Sequence, residues 1–171
     1  MINSTSAALL GFLRDGPQPG YQLHKIAADI APFWTVTRSQ VYRELATLAD
    51  RGLVKREPTG KRDAAPFSIT AKGRAAFRAW LATEPEAENL RIPLLLKLTF
   101  AEDLPAEQLQ AMLQVHYDRH RALLAEYDGL AAELSELPVL QRVTLQYGIH
   151  YERAVIAWFE ELPADIAPAH S

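Results

Sequence analysis

The sequence predicts a mainly α-helical fold with one small β-hairpin, organised in two parts. Apolar residues recur at three- and four-residue spacing along most of the 171 residues, which is typical of amphipathic helices. Two short strand-like runs interrupt that pattern near residues 53–70. Charge is also unevenly divided: residues 1–82 carry 12 basic and six acidic side chains, whereas residues 83–171 carry six and 15. This asymmetry favours a polyanion-binding part joined to a part with another task.

Composition excludes several classes of protein. The chain has no cysteine, which excludes a disulfide scaffold, a cysteine-ligated zinc site, an iron–sulfur cluster and a cysteine nucleophile. The longest apolar run, Ile92 to Phe100, is interrupted by Lys97 and is far shorter than the ~20 residues that span a bilayer. The first residues lack the basic region and cleavage site of an export signal, so we expect a cytoplasmic protein.

Three helices are predicted in the first 52 residues. Ala7–Leu13 forms the first, and Asp15-Gly16-Pro17 ends it. The apolar stripe of the second helix, which follows Pro19-Gly20, consists of Tyr21, Leu23, Ile26, Ala27 and Ile30. Thr35 or Thr37 caps the third helix, which extends to Gly52. Its apolar stripe is Val41, Leu45 and Leu48.

A hairpin and a fourth helix follow. The strands are residues 53–57 and 67–70, joined by the turn-rich segment 58–63. Pro66 belongs at a strand start or at a sheet edge, because proline cannot donate to a ladder. The fourth helix runs from about Ala71 to Leu81, with Ala75, Ala76, Phe77 and Trp80 available for packing.

Three short helices before a basic hairpin are the outline of a winged helix-turn-helix, whose third helix enters the DNA major groove. The exposed face of that helix carries Arg38, Ser39, Gln40, Tyr42 and Arg43. Arginine pairs with guanine and glutamine with adenine, while serine and tyrosine bind phosphate. Lys61 and Arg62 at the hairpin tip supply charge for flanking phosphates. The alternative is a small helical domain whose polar face is merely solvated.

The acidic half is predicted to be wholly helical after a polar linker at residues 83–89. A short helix covers Ile92 to Ala101, and a long one begins at Pro105. Its heptad seam consists of Leu109, Leu113, His116, His120, Leu123, Tyr127, Leu130, Leu134 and Leu137. After Pro138, a last helix places Leu140, Val143, Tyr147, Tyr151, Ala154 and Trp158 on one face. So much apolar surface in ~80 residues predicts pairing with a second copy of the chain.

His116 and His120 are one helical turn apart, a spacing that can bind a metal. A zinc protease would need glutamate after the first histidine, where this chain has Tyr117. Because both histidines lie in the leucine seam, we interpret them as imidazoles packed between helices, and we assign no metal or cofactor. A role in pH response remains an alternative, since histidine titrates near neutrality.

Four stretches resemble the PadR family of bacterial transcriptional regulators. They are ALLGFLRDGPQPGYQLHKIA, the pair Phe33-Trp34, SQVYRELATLADRGLV and SITAKGRAAFRAWL, with a looser match at LLLKLTFAEDL and YERAVIAWFEEL. The resemblance implies a carboxy-terminal helical dimerisation region and an effector that is phenolic or flat and hydrophobic. Trp34, Trp80, Trp158, Tyr147 and Tyr151 are candidates for such a pocket, although aromatics at helical spacing more often form core.

The sequence therefore predicts a winged helix-turn-helix DNA-binding domain at residues 1–82, a linker at 83–89 and a helical dimerisation domain at 90–171. The expected protein is a homodimeric repressor that binds a palindromic operator and responds to a small aromatic effector, if it has one. The alternative is a winged-helix adaptor that binds another protein and no DNA. An enzyme is not expected, because the chain has no phosphate loop, dinucleotide fingerprint, serine elbow or metalloprotease signature.

Overall fold

The computed structural model describes residues 1–30, 36–58, 65–87, 90–133 and 138–168. The chain divides into two compact units, Met1–Glu88 and Asn89–Ser171. The described residues form seven α-helices and one two-stranded antiparallel sheet, which confirms the predicted mainly helical fold with a small hairpin. Within these residues, no helix combines the length and the apolar composition needed to cross a membrane.

The first unit contains four helices and the hairpin. Its elements are α1 (Ser4–Phe12), α2 (Gly20–Ile30), α3 (Arg38–Asp50), β1 (Val54–Arg56), β2 (Phe67–Ile69) and α4 (Ala71–Leu81). Helix α1 begins three residues earlier than predicted, because the side chain of Asn3 accepts a hydrogen bond from the backbone of Ser6 at 2.7 Å and caps the helix.

The core of the first unit lies between α1, α2, α3 and the hairpin. It consists of Ile2, Ala7, Leu9, Leu10, Leu13, Leu23, Val41, Leu45, Leu48, Leu53, Val54 and Ile69. The predicted stripe of α3 is fully buried, and each such side chain contributes about 1.5–3 kcal/mol by leaving water. Two predicted core positions are wrong: Tyr21 is 55% exposed and Ala75 is exposed, whereas Ala76, Phe77 and Trp80 pack on the core as predicted.

Strand β2 makes backbone hydrogen bonds along both of its edges. Val54 pairs with Ile69 and Arg56 with Phe67. Pro66 precedes β2, as predicted, and its carbonyl accepts a hydrogen bond from the backbone of Glu57 at 2.8 Å. On the other side of β2, the backbones of Gln18 and Phe67 exchange two hydrogen bonds of 3.0 and 2.8 Å. The turn between α1 and α2 therefore adds a third extended segment to the sheet.

The second unit contains α5 (Pro93–Thr99), a short 3-10 helix (Ala101–Asp103), α6 (Ala106–Glu133) and α7 (Val139–Glu160). Its buried core consists of Leu94, Leu109, Leu113, Tyr117 and Phe159. The ring of Phe159 contacts Tyr117 and Trp158 edge to face, with centroids 5.7 and 4.8 Å apart.

The seam of α6 packs on α7 of the same chain. The long partner helix that the heptad pattern predicts is therefore α7. From Leu109 to Tyr127 the predicted seam residues are at least half-buried, while Leu130 is 36% exposed. The predicted stripe of α7 is buried only toward its carboxy-terminal end, where Tyr151 is half-buried and Trp158 packs on the core of this unit. Leu140, Val143 and Tyr147 are 80%, 55% and 57% exposed, and α7 instead buries Ile149, Glu152 and Phe159. Because this face contains a glutamate, the pattern of apolar residues alone did not predict that it is buried.

Several predictions fall outside the described residues. They are the aromatic pair Phe33-Trp34, the alternative cap Thr35, the hairpin tip with Lys61 and Arg62, and the seam positions Leu134 and Leu137.

Candidate nucleic-acid interface

Helix α3 presents a polar, basic side opposite its buried stripe. Arg38, Ser39 and Arg43 are exposed, while Gln40 and Tyr42 are half-buried. Five of the seven predicted interface residues thus lie within the first six residues of one helix. Its packed stripe fixes which way the exposed side faces, as a groove-binding helix requires.

The start of α3 is fixed by a reciprocal cap. The Thr37 side chain accepts a hydrogen bond from the backbone of Gln40 at 3.3 Å. In return, the backbone N–H of Thr37 donates to Gln40 Oε1 at 2.8 Å. This capping box satisfies two donors that a helix start otherwise leaves unpaired. Thr37, one of the two predicted caps, is therefore the cap, and Gln40 has a structural task that its spacing alone did not indicate.

Tyr42 packs against α2 instead of standing free in solvent. A Cβ atom at Gly20 would lie 2.8 Å from Tyr42 Cε1, so the ring occupies the place of a side chain there. The guanidinium carbon of Arg38 lies 5.6 Å from the centroid of the same ring.

Glu44 ties α3 to the start of α1. Its Oε2 accepts hydrogen bonds from the buried hydroxyl of Ser6 at 2.8 Å and from Asn3 Nδ2 at 3.2 Å. A carboxylate beside a helix N-terminus is also favoured by the helix dipole. The neighbouring Arg43 lies 3.9 Å from Glu44 Oε1, and 68% of its side chain is exposed.

Charge on the described part of the hairpin is partly neutralised. Glu57 accepts a hydrogen bond from Ser68 at 2.6 Å and pairs with Lys55 at 2.9 Å. These two contacts, in that order, hold the pKa of Glu57 below its ordinary value. The guanidinium of Arg56 lies over the ring of Phe67, 5.8 Å from its centroid.

The α6–α7 interface contains a polar pair that is uncommon inside a helical unit. Glu152 is 2% exposed, and its carboxylate lies 2.5 Å from His120 Nδ1. Burial, and then the charge of Glu152, raise the pKa of both Tyr127 and Tyr151. His120 is thus packed between helices, as predicted. No cluster of three metal-binding side chains occurs in the described parts of the chain.

Two family models match adjacent parts of the chain. The model of the transcriptional regulator PadR-like family matches residues 9–79, and the virulence activator alpha C-terminal model matches residues 90–166. Residues 9–79 belong to the PadR-like family of transcriptional regulators. It is a family of regulators and not of enzymes.

Relatives of this PadR-like regulator match it along nearly the whole chain. The negative transcriptional regulator PadR of Bacillus subtilis is 24% identical over 173 residues, which cover 93% of this chain and 95% of the relative. The crystal structure of B. subtilis PadR in complex with operator DNA is similar with a TM-score of 0.77, 22% identity and coverage of 92% and 96%. The structure of the same protein with p-coumaric acid is similar with a TM-score of 0.72, 22% identity and coverage of 92% and 95%.

Sequence reasoning missed three residues that organise this PadR-like regulator. Glu44 was not singled out because its partners lie about 40 positions away. Glu152 falls on the buried face of α7, where a charged residue is not expected without a partner. Tyr117, at 3% exposure, is more buried than the histidines near it in the sequence. Its position next to the seam residue His116 could have indicated that it is buried.

Proposed function

We propose that this regulator is a repressor that binds a palindromic operator as a homodimer. Residues 1–82 would bind DNA, and residues 90–171 would hold the two copies together. The proposed groove-facing residues are Arg38, Ser39, Gln40, Tyr42 and Arg43, and Lys61 and Arg62 are proposed to contact flanking phosphates. The observation that carries this proposal is the capped start of α3, with two exposed arginines on a helix whose other side is buried.

Relatives support the DNA ligand and the sign of regulation. B. subtilis PadR has the same fold, and one of its structures contains operator DNA. That protein is named a negative transcriptional regulator, which supports repression here. A second copy is supported by the apolar stripe of α7, because exposed apolar patches on a folded chain mark interfaces. Two recognition helices would then meet half-sites ~34–36 Å apart or a multiple of that distance.

A small aromatic effector is the proposed signal that releases the operator. The support is the structure of B. subtilis PadR with p-coumaric acid. Release requires the effector to favour a dimer whose recognition helices no longer match the two half-sites, and a coupling of ~1–3 kcal/mol is typical of such control.

Selection of bound sequences from a random duplex pool tests the proposal. An inverted repeat should emerge, and binding to it should weaken with salt. Repeating the selection with phenolic acids should reduce recovery of that repeat. If no sequence is enriched and no duplex is bound at low salt, the protein-binding adaptor replaces the repressor.

A further inference from the structure

Tyr42 lies between the first residue of α2 and the first residue of α3. Arg38 precedes it by four residues, so both side chains project from the same face of the helix. The 5.6 Å between the Arg38 guanidinium carbon and the Tyr42 ring centroid is within the range of cation–π attraction.

The hydroxyl edge of the same ring packs on Gly20. A Cβ atom at residue 20 would lie 2.8 Å from Cε1, 3.1 Å from Cζ and 3.3 Å from the hydroxyl oxygen of Tyr42. Any side chain larger than hydrogen would push the ring away. The ring is therefore fixed by α2, and it can in turn restrict the arginine that lies over it.

We propose that Tyr42 is a positioning residue that holds Arg38 for base recognition and does not itself bind phosphate. This inference rests on the proposed function, since it assigns roles within the same interface. A free arginine loses rotamer freedom when it binds a base, and a ring that already restricts it reduces that loss. Gly20 is needed because only glycine admits the ring.

The test measures how strongly each variant prefers the selected operator over a duplex altered at one base pair. The base pair used is the one at which R38A no longer discriminates. R38A should lose about 5- to 150-fold of the preference there, the range for one good arginine–base contact. Y42L should lose about 2- to 5-fold, the range for a cation–π contact at an exposed site. The G20A variant keeps both side chains but displaces the ring, so it should behave like Y42L.

Two further variants separate positioning from direct contact. Y42F keeps the ring and should retain the preference that Y42L loses. The double variant R38A/Y42L should be no worse than R38A, because the ring then has nothing to hold. If Y42F is as damaging as Y42L, the hydroxyl binds DNA directly and the proposal is wrong. Additive losses in the double variant would equally overturn it.

Controls keep the outcome interpretable. Arg14 lies 5.8 Å from the centroid of the Phe77 ring, a similar stacked pair that is not on α3, and R14A should not change the preference. Thermal unfolding followed by circular dichroism checks each variant. Should Y42L unfold below the assay temperature, G20A takes its place, both in the comparison with Y42F and in the double variant with R38A. If the wild-type protein discriminates between no duplexes, the proposed function itself is wrong. If the wild type prefers its operator and Y42F abolishes that preference, only the positioning role of Tyr42 is wrong.

Discussion

The side chain of Gln40 is hydrogen-bonded back onto the start of its own helix. Its Oε1 accepts from Thr37, while adenine recognition would use both the oxygen and the nitrogen of the amide. Base contact by Gln40 would therefore compete with the cap of α3, and substitutions can separate the two tasks.

Glutamate at position 40 should keep the cap and lose the base contact. Q40E retains the reciprocal hydrogen bond and adds a negative charge at the helix N-terminus, so its free energy of unfolding should equal or exceed that of the wild type. Its operator affinity should fall, because the carboxylate repels phosphate. Q40A should lose about 0.5–1.5 kcal/mol of stability, the usual worth of one hydrogen bond. Urea unfolding and fluorescence anisotropy measure both, and equal instability of Q40E and Q40A would contradict the capping role.

His116 should make stability sensitive to mild acid. Burial, followed by the positive charge of His120, lowers the pKa of His116 below its ordinary value of 6.5, and Arg119 and Lys97 act in the same direction. The unfolded chain then takes up this proton at higher pH than the folded chain, so the free energy of unfolding decreases as pH falls below 6.5. Urea unfolding at several pH values should give a flatter dependence for H116Q, and an unchanged dependence would exclude His116 as a cause.

At the level of elements, local signals predicted some bounds and could not predict others. The bounds of α4, Ala71–Leu81, agree with the prediction because Thr70 caps the helix and the apolar spacing is continuous. The buried face of α7 could not be found in this way. Its centre is Glu152, whose burial depends on His120 from another helix, and such pairs are invisible to hydropathy.

Two glycines in helices should respond in opposite ways to alanine. A Cβ at Gly73 would lie 2.0 Å from the backbone oxygen of Leu53, the residue before β1, so G73A forces α4 away from Leu53 and should cost about 1–3 kcal/mol or more. Gly129 on α6 has nothing within 4 Å of such an atom, and G129A should gain about 1 kcal/mol from helix propensity. Urea unfolding of both variants checks this. A neutral G73A would mean that α4 is not held at that distance.

The exposed stripe of α7 should control assembly. The double variant L140E/Y147E places charge at two positions that are 80% and 57% exposed, so the single chain should keep its helical content. Light scattering after gel filtration should give a dimer for the wild type and a monomer for this variant. Q146E is the matched control, because Gln146 is exposed on α7 outside the stripe. A variant that stays dimeric would assign the interface to another surface.

For the whole molecule, the separation of charge between the two halves should appear as salt-dependent binding. Lys61 belongs to the basic half, and K61A removes one phosphate contact if the assignment of the hairpin tip is right. The slope of log affinity against log salt should then decrease in magnitude by about 1, with the preferred operator sequence unchanged. An unaltered slope would remove Lys61 from the interface.

Contacts between residues far apart in the sequence could not be predicted from the sequence. Helical spacing identified α3 and the five residues at its start. The packing of Tyr42 on Gly20 and the anchoring of Glu44 by Ser6 join positions 22 and 38 residues apart, which no local period encodes. The family and the architecture were therefore predictable, while the way the interface is held required the structure.

The pairing of Gln18 with Phe67 bears on how related regulators can diversify. Because β2 is hydrogen-bonded to β1 on one side and to the α1–α2 turn on the other, the register of the two strands is fixed without the stretch between residues 58 and 65. That stretch can therefore be lengthened, shortened or given other charges without changing the register. If the hairpin tip contacts flanking phosphates as proposed, a change of flanking preference can then arise in that stretch alone, while α3, the proposed base-reading helix, keeps its sequence.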